Sequence, residues 1–191
     1  MNLKRRYFLI GVLLFLVLSM ILYFKPDLIL SGQMLYKIGT NRLTAADHGD
    51  YQENDKVKSA IYYFEKANKK GVVKRELFDK LSYCYLISND NRNAEKILTI
   101  GIIHYPTDAE FYFDRANCRK DMKNFTGAFL DYDKVILLDK NFKYLNEAIY
   151  DRGAMRYILG DTTKANIDRQ EAQKITDHDL RTYADYCQLW K

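Results

Sequence analysis

The side chains best suited to chemistry are few in this 191-residue chain, and they are scattered. His48, His104 and His178 could act as bases or metal ligands. They fall in three separate regions, and no two share a ligand or base–nucleophile spacing. Their expected places are a loop, a helix end and the first turn of a terminal helix. Cys84, Cys118 and Cys187 form an odd set, so an exported chain would keep at least one free thiol. No glycine loop could cradle a phosphate, because "GAFLD" and "RGAM" read as helical. Carboxylates are plentiful but lie along helical faces, where water solvates them. No catalytic residue, metal or cofactor is expected, and the chain does not read as an enzyme. Asn124-Phe125-Thr126 fits a glycosylation acceptor, which matters only in a eukaryotic secretory setting.

The elements that carry these residues read as helices. Hydrophobic residues make up 48% of the chain and charged residues 29%, with only two prolines and nine glycines. Valine and isoleucine do not alternate with polar residues over long runs, which disfavours sheet. The length suits one globular domain plus an accessory segment. The net charge of +5 is concentrated at the start, where Lys4, Arg5, Arg6 and Lys25 face no acid. Beyond them, 26 basic residues meet 25 acidic ones, so a nucleic-acid partner is not expected.

"YFLIGVLLFLVLSMILYF", residues 7–24, is 18 residues without a charge. As a helix it spans about 27 Å at ~1.5 Å per residue, close to a ~30 Å hydrocarbon core. It lacks the polar face of an ordinary core helix. A cleaved signal peptide is the competing reading, but no small-x-small site closes the run and no cysteine follows it. The stretch therefore reads as an uncleaved transmembrane signal-anchor. The basic residues before it keep residues 1–6 in the cytoplasm and place residues 26–191 across the membrane. In a bacterium, the domain would then be periplasmic or extracellular.

Further along, small residues recur in pairs seven apart: Ala60 and Ala67, Ala94 and Gly101, Ala128 and Val135, Ala165 and Ala172. Seven residues is two helical turns, so each pair lies on one stripe. The intervals between first members are 34, 34 and 37 residues. Ser82, Ala116 and Gly153 stand twelve residues before the last three, on the preceding helices "ELFDKLSYCYLIS", "AEFYFDRANCRKDM" and "NEAIYDRGAMRYIL". Phe78, Tyr112 and Ile149 precede those by four. Asn89-Asp90-Asn91, Lys123-Asn124 and Gly160-Asp161 supply turns. Pro106 ends one unit, and Thr107-x-x-Glu110 reads as a capping box opening the next. Such a period indicates stacked helix pairs that share one core.

The pattern resembles the tetratricopeptide repeat family. That family places an aromatic residue at position 4, a small one at 8, alanine at 20, an aromatic at 24, a small one at 27 and proline at 32. Residues 75–108 match with Phe78, Ser82, Ala94, Leu98, Gly101 and Pro106. Residues 109–142 match with Tyr112, Ala116, Ala128, Tyr132 and Val135, with Lys140 in place of proline. Residues 146–179 match with Ile149, Gly153, Ala165 and Ala172, with Arg169 replacing the aromatic. In a partial first unit over about 41–74, "VKSAIYYFEKANKKG" shows Ala60, Phe64 and Ala67. Its partner helix is expected near residues 33–47, followed by the polar loop "HGDYQENDK". Residues 25–40 hold a linker and the start of that helix. "DHDLRTYADYCQLW", 178–190, would cap the array. The expected architecture is all-α. A transmembrane helix leads into a repeat superhelix of three clear units and one partial, closed by the cap. Cys84 and Cys118 occupy equivalent places on helices ~8–10 Å apart, too far for a disulfide. They are expected to be buried and unbonded.

The resemblance also implies a partner-binding groove lined by the first helix of each pair. In the first full unit it comprises Glu76, Asp79, Lys80, Tyr83, Leu86 and Ile87. The second contributes Glu110, Phe113, Asp114, Asn117, Lys120 and Asp121. The third adds Glu147, Tyr150, Asp151, Ala154, Tyr157 and Ile158. Acids and rings dominate, which suits a peptide with basic and apolar side chains. The competing reading is ordinary solvated helix faces, with the rings partly covered by the cap. Asp79 and Tyr83 break the lysine–asparagine pattern of the family's chaperone-tail clamp. The function implied is a membrane-anchored protein-interaction scaffold in an envelope assembly, secretion or toxin-neutralising role, without a small-molecule substrate. Two alternatives stay open: an organelle import-type receptor of opposite topology, and an enzyme using surface carboxylates.

Overall fold

Apolar periodicity, small-residue stripes and capping side chains divide the chain into ten helices among the described residues. The computed structural model describes residues 3–46, 55–176 and 179–190. Those residues contain no strand. The chain forms two compact units, one holding the first three helices and the other running from Lys74 onward.

In the first unit, α1 spans Leu3–Phe24. Its stretch Tyr7–Phe24 has a mean hydropathy of 2.6, and none of it is buried. A core helix would bury such a stretch, so α1 is a helix long and apolar enough to cross a membrane. Pro26–Leu28 forms a 3-10 turn with Pro26 buried. Asp27 accepts hydrogen bonds from Lys66 Nζ at 2.8 Å and from the Tyr62 hydroxyl at 3.0 Å. The Lys66 hydrogen bond holds the Asp27 carboxyl below its ordinary range. Helix α2, Gly32–Thr44, starts at Ser31, whose side chain accepts from the Met34 amide. It packs on α3, Asp55–Lys69, which buries Val57, Ala60, Phe64 and Ala67. The small position facing α3 is Gly39, where a Cβ would come within 2.8 Å of the Phe64 ring. It stands twenty-one residues before Ala60 instead of the twelve found elsewhere, because the connection between these helices is longer. The pair opens at Gly32, within the stretch assigned to a linker and the start of the helix. His48 and most of the polar loop lie outside the described residues.

The second unit contains α4 (Arg75–Ile87), α5 (Asn91–His104), α6 (Ala109–Asp121), α7 (Phe125–Leu138), α8 (Leu145–Ile158) and α9 (Thr162–Ile175). Each packs on the next in chain order. The small residues line the contacts: Ser82, Ala94, Gly101, Ala116, Ala128, Val135, Gly153, Ala165 and Ala172 are all buried. A Cβ on Gly101 would come within 3.1 Å of the Phe111 ring. One on Gly153 would run into the Tyr183 hydroxyl. The overpacking that enlarged side chains cause in such contacts costs typically ~1–3 kcal/mol.

The three hairpin corners share one geometry. Asn89, Lys123 and Gly160 hold φ of 56°, 61° and 94°, the left-handed conformation that ends a helix and reverses the chain. The residue that follows, Asp90, Asn124 or Asp161, accepts a hydrogen bond at 3.1 Å from the amide of Asn93, Gly127 or Lys164. The next helix is thus capped at once. Asn124 of the glycosylation motif is one of these caps. Helix α6 begins differently from the expectation: Asp108, and not Thr107, is its cap, accepting from the Glu110 amide. The three extra residues before α8 have a packing role. They place Tyr144 in a stack on Phe113, centroids 5.5 Å apart, beside Phe142.

The C-terminal helix is shorter than the expected 178–190. Helix α10 is only Tyr183–Tyr186, capped by Thr182, and Cys187–Trp190 continues as a 3-10 turn. Upstream, the backbone is engaged elsewhere: the Leu180 amide donates to Gln173 Oε1, and its carbonyl accepts from Arg169. Arg169, which departs from the repeat's aromatic, thus fastens this segment. His178 lies outside the described residues. His104 stacks on Phe78 at the end of α5, centroids 5.6 Å apart. The three cysteines are buried and form no disulfide among the described residues. Burial pushes Cys84 and Cys118 up to about 12, so neither is a nucleophile at neutral pH.

Candidate functional site

Helices α4, α6 and α8 are first members of their pairs, and their side chains meet in sequence. Arg75 on α4 donates to Asp108 Oδ2 at 2.8 Å and to Glu110 at 2.5 Å. Lys120 on α6 reaches Asp151 on α8 at 2.5 Å. The face they form contains the expected lining residues in unequal states. Glu76, Glu147 and Tyr83 are exposed, as is Asp121. Asp79, Asp114, Asn117, Tyr150 and Tyr157 are half-buried, as are Lys80, Leu86, Ile87, Glu110, Lys120 and Ile158. Phe113, Asp151 and Ala154 are buried.

Two of these differ from a free lining. Phe113 is packed between Tyr132, Phe142 and Tyr144. Asp151 is held from three sides: by Lys120, by the Tyr132 hydroxyl at 3.2 Å and by the Tyr186 hydroxyl at 2.7 Å. Asn117 Oδ1 accepts from the same Tyr132 hydroxyl at 2.6 Å. Asp151 is therefore a structural carboxylate and not a surface charge.

The electrostatics of the α4–α6 portion depend on two cations outside the expected lining, Arg75 and Lys143. Lys143 donates to Glu110 Oε1 at 2.7 Å, and together with Arg75 it holds Glu110 below its ordinary range. Asp114 is different. It has no hydrogen bond or ion pair among the described residues. Burial pushes its carboxyl up to about 7, and the charges of Glu110 and Asp79 add to the shift. Asp79 is also raised, chiefly by burial, with Arg75 opposing at 3.9 Å. The exposed Tyr83 ring lies on the same helix as Asp79. This portion can receive a cation and an apolar group side by side.

The α8 portion is covered by the chain itself. Tyr150 donates to the Arg181 carbonyl at 3.0 Å, and Tyr183 donates to the Tyr150 carbonyl at 3.0 Å. The Tyr150 ring lies 5.0 Å from Tyr183 and 4.9 Å from Tyr186. Tyr157 is 6.1 Å from Tyr183.

Sequence reasoning missed a pair of buried ion clamps behind this face. Asp131 on α7 accepts from Arg115 at 2.7 and 2.9 Å and from Arg119 at 2.8 Å. Asp168 on α9 receives Arg152 and Arg156 in the same way, with contacts of 2.7 to 3.1 Å. The signal was present as Arg-x-x-x-Arg with an aspartate sixteen residues after the first arginine, in two successive units. The first full unit carries Leu81, Tyr85 and Ile97 at those places. Removing one carboxylate would take the shared partner from two part-buried guanidiniums, although Arg119 keeps Glu95 and Arg152 keeps Asp133, so the cost should fall at or below about 3 kcal/mol. These clamps fasten helix to helix and offer nothing to a ligand. Among the described residues no group of histidine, cysteine and carboxylate could hold a metal ion.

No protein-family model matches the chain, and no curated protein matches it. Solved structures do. YrrB, described as a TPR protein with an unusual peptide-binding site, is 19% identical, with a TM-score of 0.65. The match covers 88% of this chain and 78% of YrrB. MamA is 17% identical over 82% of both chains, with a TM-score of 0.63. PcrH in complex with the chaperone binding region of PopB is 18% identical, with a TM-score of 0.50 over 65% of this chain and 93% of PcrH. The fold of this chain is thus an all-helical, tetratricopeptide-like array of helix pairs.

Proposed function

We propose that the chain is a membrane-anchored protein-interaction module whose recognition surface is the α4–α6 face. The observation that carries this reading is the contrast between paired and unpaired acids. Asp131, Asp151, Asp168 and Glu110 are consumed by internal cations, whereas Asp114 keeps no partner and Asp79 only a distant one. They stand beside the exposed Glu76 and Tyr83, and Asn117, Glu147 and Tyr150 extend the surface toward α8. A segment with lysine or arginine next to an apolar side chain matches this surface. The peptide-binding description of YrrB and the partner bound to PcrH favour the same mode. Recognition, with no reaction of its own, is the activity. Helix α1 supplies the anchor. The basic residues before it put the N-terminus in the cytoplasm and the repeat units on the other side, periplasmic or extracellular in a bacterium. An envelope assembly, secretion or toxin-neutralising role fits that placement.

The test is capture of crosslinked partners by the intact protein from detergent extracts, compared with an Asp79→Lys/Asp114→Lys variant. Recovery of the specific partner should fall at least tenfold while the variant keeps its helical signal. Undiminished recovery would remove the α4–α6 face from consideration. Asp151 is left unchanged, because reversing it would strand Lys120 inside the fold.

A further inference from the structure

The end of α1 and the turn after it leave an apolar hollow with cations beside it. Val17, Met20, Ile21 and Phe24 follow the i, i+3, i+4, i+7 rule and lie on one stripe of α1. Leu28 of the turn completes the lining, and Lys25 is its one polar member. Among the described residues nothing covers that stripe, since none of Tyr7–Phe24 is buried. The charges nearby are basic once internal pairs are taken out. Asp27 is the only acid in residues 1–46, and Lys66 and Tyr62 occupy it. Lys70 Nζ rests on the Leu30 carbonyl at 2.8 Å, which brings the end of α3 against the turn. Lys25, Lys69 and Lys70 are exposed and pair with no carboxylate among the described residues. Between these cations Leu28 and Ile29 are 66% and 44% exposed, so the apolar surface continues past Phe24. That extension suits a helix of about 27 Å set in a ~30 Å core.

We infer that this hollow seats an anionic phospholipid, with an acyl chain along the Val17–Phe24 stripe and the phosphate against Lys25 and Lys70. The inference rests on the reading of α1 as a membrane anchor and goes beyond it, because an anchor needs only to be apolar. A phospholipid matches the site in chemistry and in order: its tails lie beneath its phosphate, as the hollow lies beneath Lys25. Lys25 directly follows Phe24, so its ammonium falls in the headgroup layer, which adds roughly 5–8 Å to each side of the core. The turn brings Lys70 to the same layer, because the Leu30 amide bonds the Pro26 carbonyl at 2.9 Å while the Leu30 carbonyl takes the ammonium. Long lysine stems can lie on apolar surface while their charges reach a phosphate. A free carboxylate at Asp27 would repel that phosphate, and its pairing with Lys66 removes the obstacle. A second apolar helix laid in the hollow would make no use of these cations, which is why the lipid is the better occupant.

The experiment puts the full chain into vesicles of phosphatidylglycerol and phosphatidylcholine in equal parts. Insertion is read from the alkaline-washed pellet. Lipid retained after mild detergent extraction is counted by native mass spectrometry. The unaltered chain should retain phosphatidylglycerol over phosphatidylcholine at least tenfold. Lys25→Gln/Lys70→Gln should cut that ratio at least fivefold while staying in the pellet. Met20→Trp, which fills the hollow and keeps the charges, should lower the retained phosphatidylglycerol by a similar factor. Lys66 is left unchanged because it holds Asp27. An inserted chain without lipid preference would overturn the seat and leave the anchor standing. So would an inserted Met20→Trp chain that retains as much as the unaltered one, since a diffuse basic surface would then suffice. A chain that never enters the pellet would overturn both readings. Energy transfer between labelled copies that survives dilution with lipid and is lost in Met20→Trp would overturn the lipid in favour of a second copy of α1.

Discussion

Asp114 and Asp131 are carboxylates seventeen residues apart with opposite environments. Asp131 is clamped by two guanidiniums, whereas Asp114 is half-buried with acids for company. In the folded chain Asp114 titrates near 7, against an ordinary value of 3.8. Between those values the folded state holds a proton that the unfolded state has released. Stability contributed by this group is therefore present below about pH 4 and is lost as pH rises through 7. Asp114→Asn should match the unaltered chain near pH 4. At pH 8 it should be more stable by about 2 kcal/mol, a figure reduced from the full shift because the carboxyl keeps some contact with water. Urea melts at the two pH values check this, and an Asn variant that gains nothing at pH 8 would contradict it. The difference between Asp114 and Asp131 was not legible in the residue types. The family resemblance places Asp114 on the first-helix face and says nothing of Asp131. The arginines of Asp131 recur at a fixed offset in two units, a signal open to sequence, whereas Glu110 depends on Arg75 and Lys143, each more than thirty residues away. For the same reason Asp151 and Phe113 read as surface and are interior.

At the scale of the helix pair, most of the design was readable because it rests on size and period. Small residues seven apart mark the stripe where helices approach, and that rule involves no distant information. The corners were readable as turns, but not their shared backbone geometry. Lys123 carries a Cβ in the left-handed region, where Gly160 sits without strain and Asn89 with little. Lys123→Gly should raise stability by about 0.5–1 kcal/mol, because relief of the strained φ outweighs the added freedom of the unfolded chain. Thermal unfolding should move up by a few degrees, and a drop would mean that the lysine is held by something other than strain. The terminal helix was misjudged in length because helical propensity says nothing about Arg169 and Gln173 taking the Leu180 backbone for themselves. The cap of α6 was misplaced by one residue, since Thr107 and Asp108 are both good capping residues and only the path of the chain after Pro106 chooses between them.

For the chain as a whole, the apolar N-terminal stretch was legible from composition alone, whereas a partner is a property of two molecules and leaves only its complement in one. The anchor reading predicts that removing residues 3–24 moves the protein from an alkaline-washed membrane pellet into the supernatant, with the helical signal of the remainder kept. Retention in the pellet would show attachment by another route. The turn after α1 bears on how such an anchor works. Pro26 is buried, and Asp27 is fastened to Tyr62 and Lys66 on α3, with Lys70 reaching the Leu30 carbonyl at 2.8 Å. There is no slack cord between the apolar rod and the hairpin after it. On the anchor reading, a rod set in lipid would have its end fixed rigidly to α3, with no hinge between them.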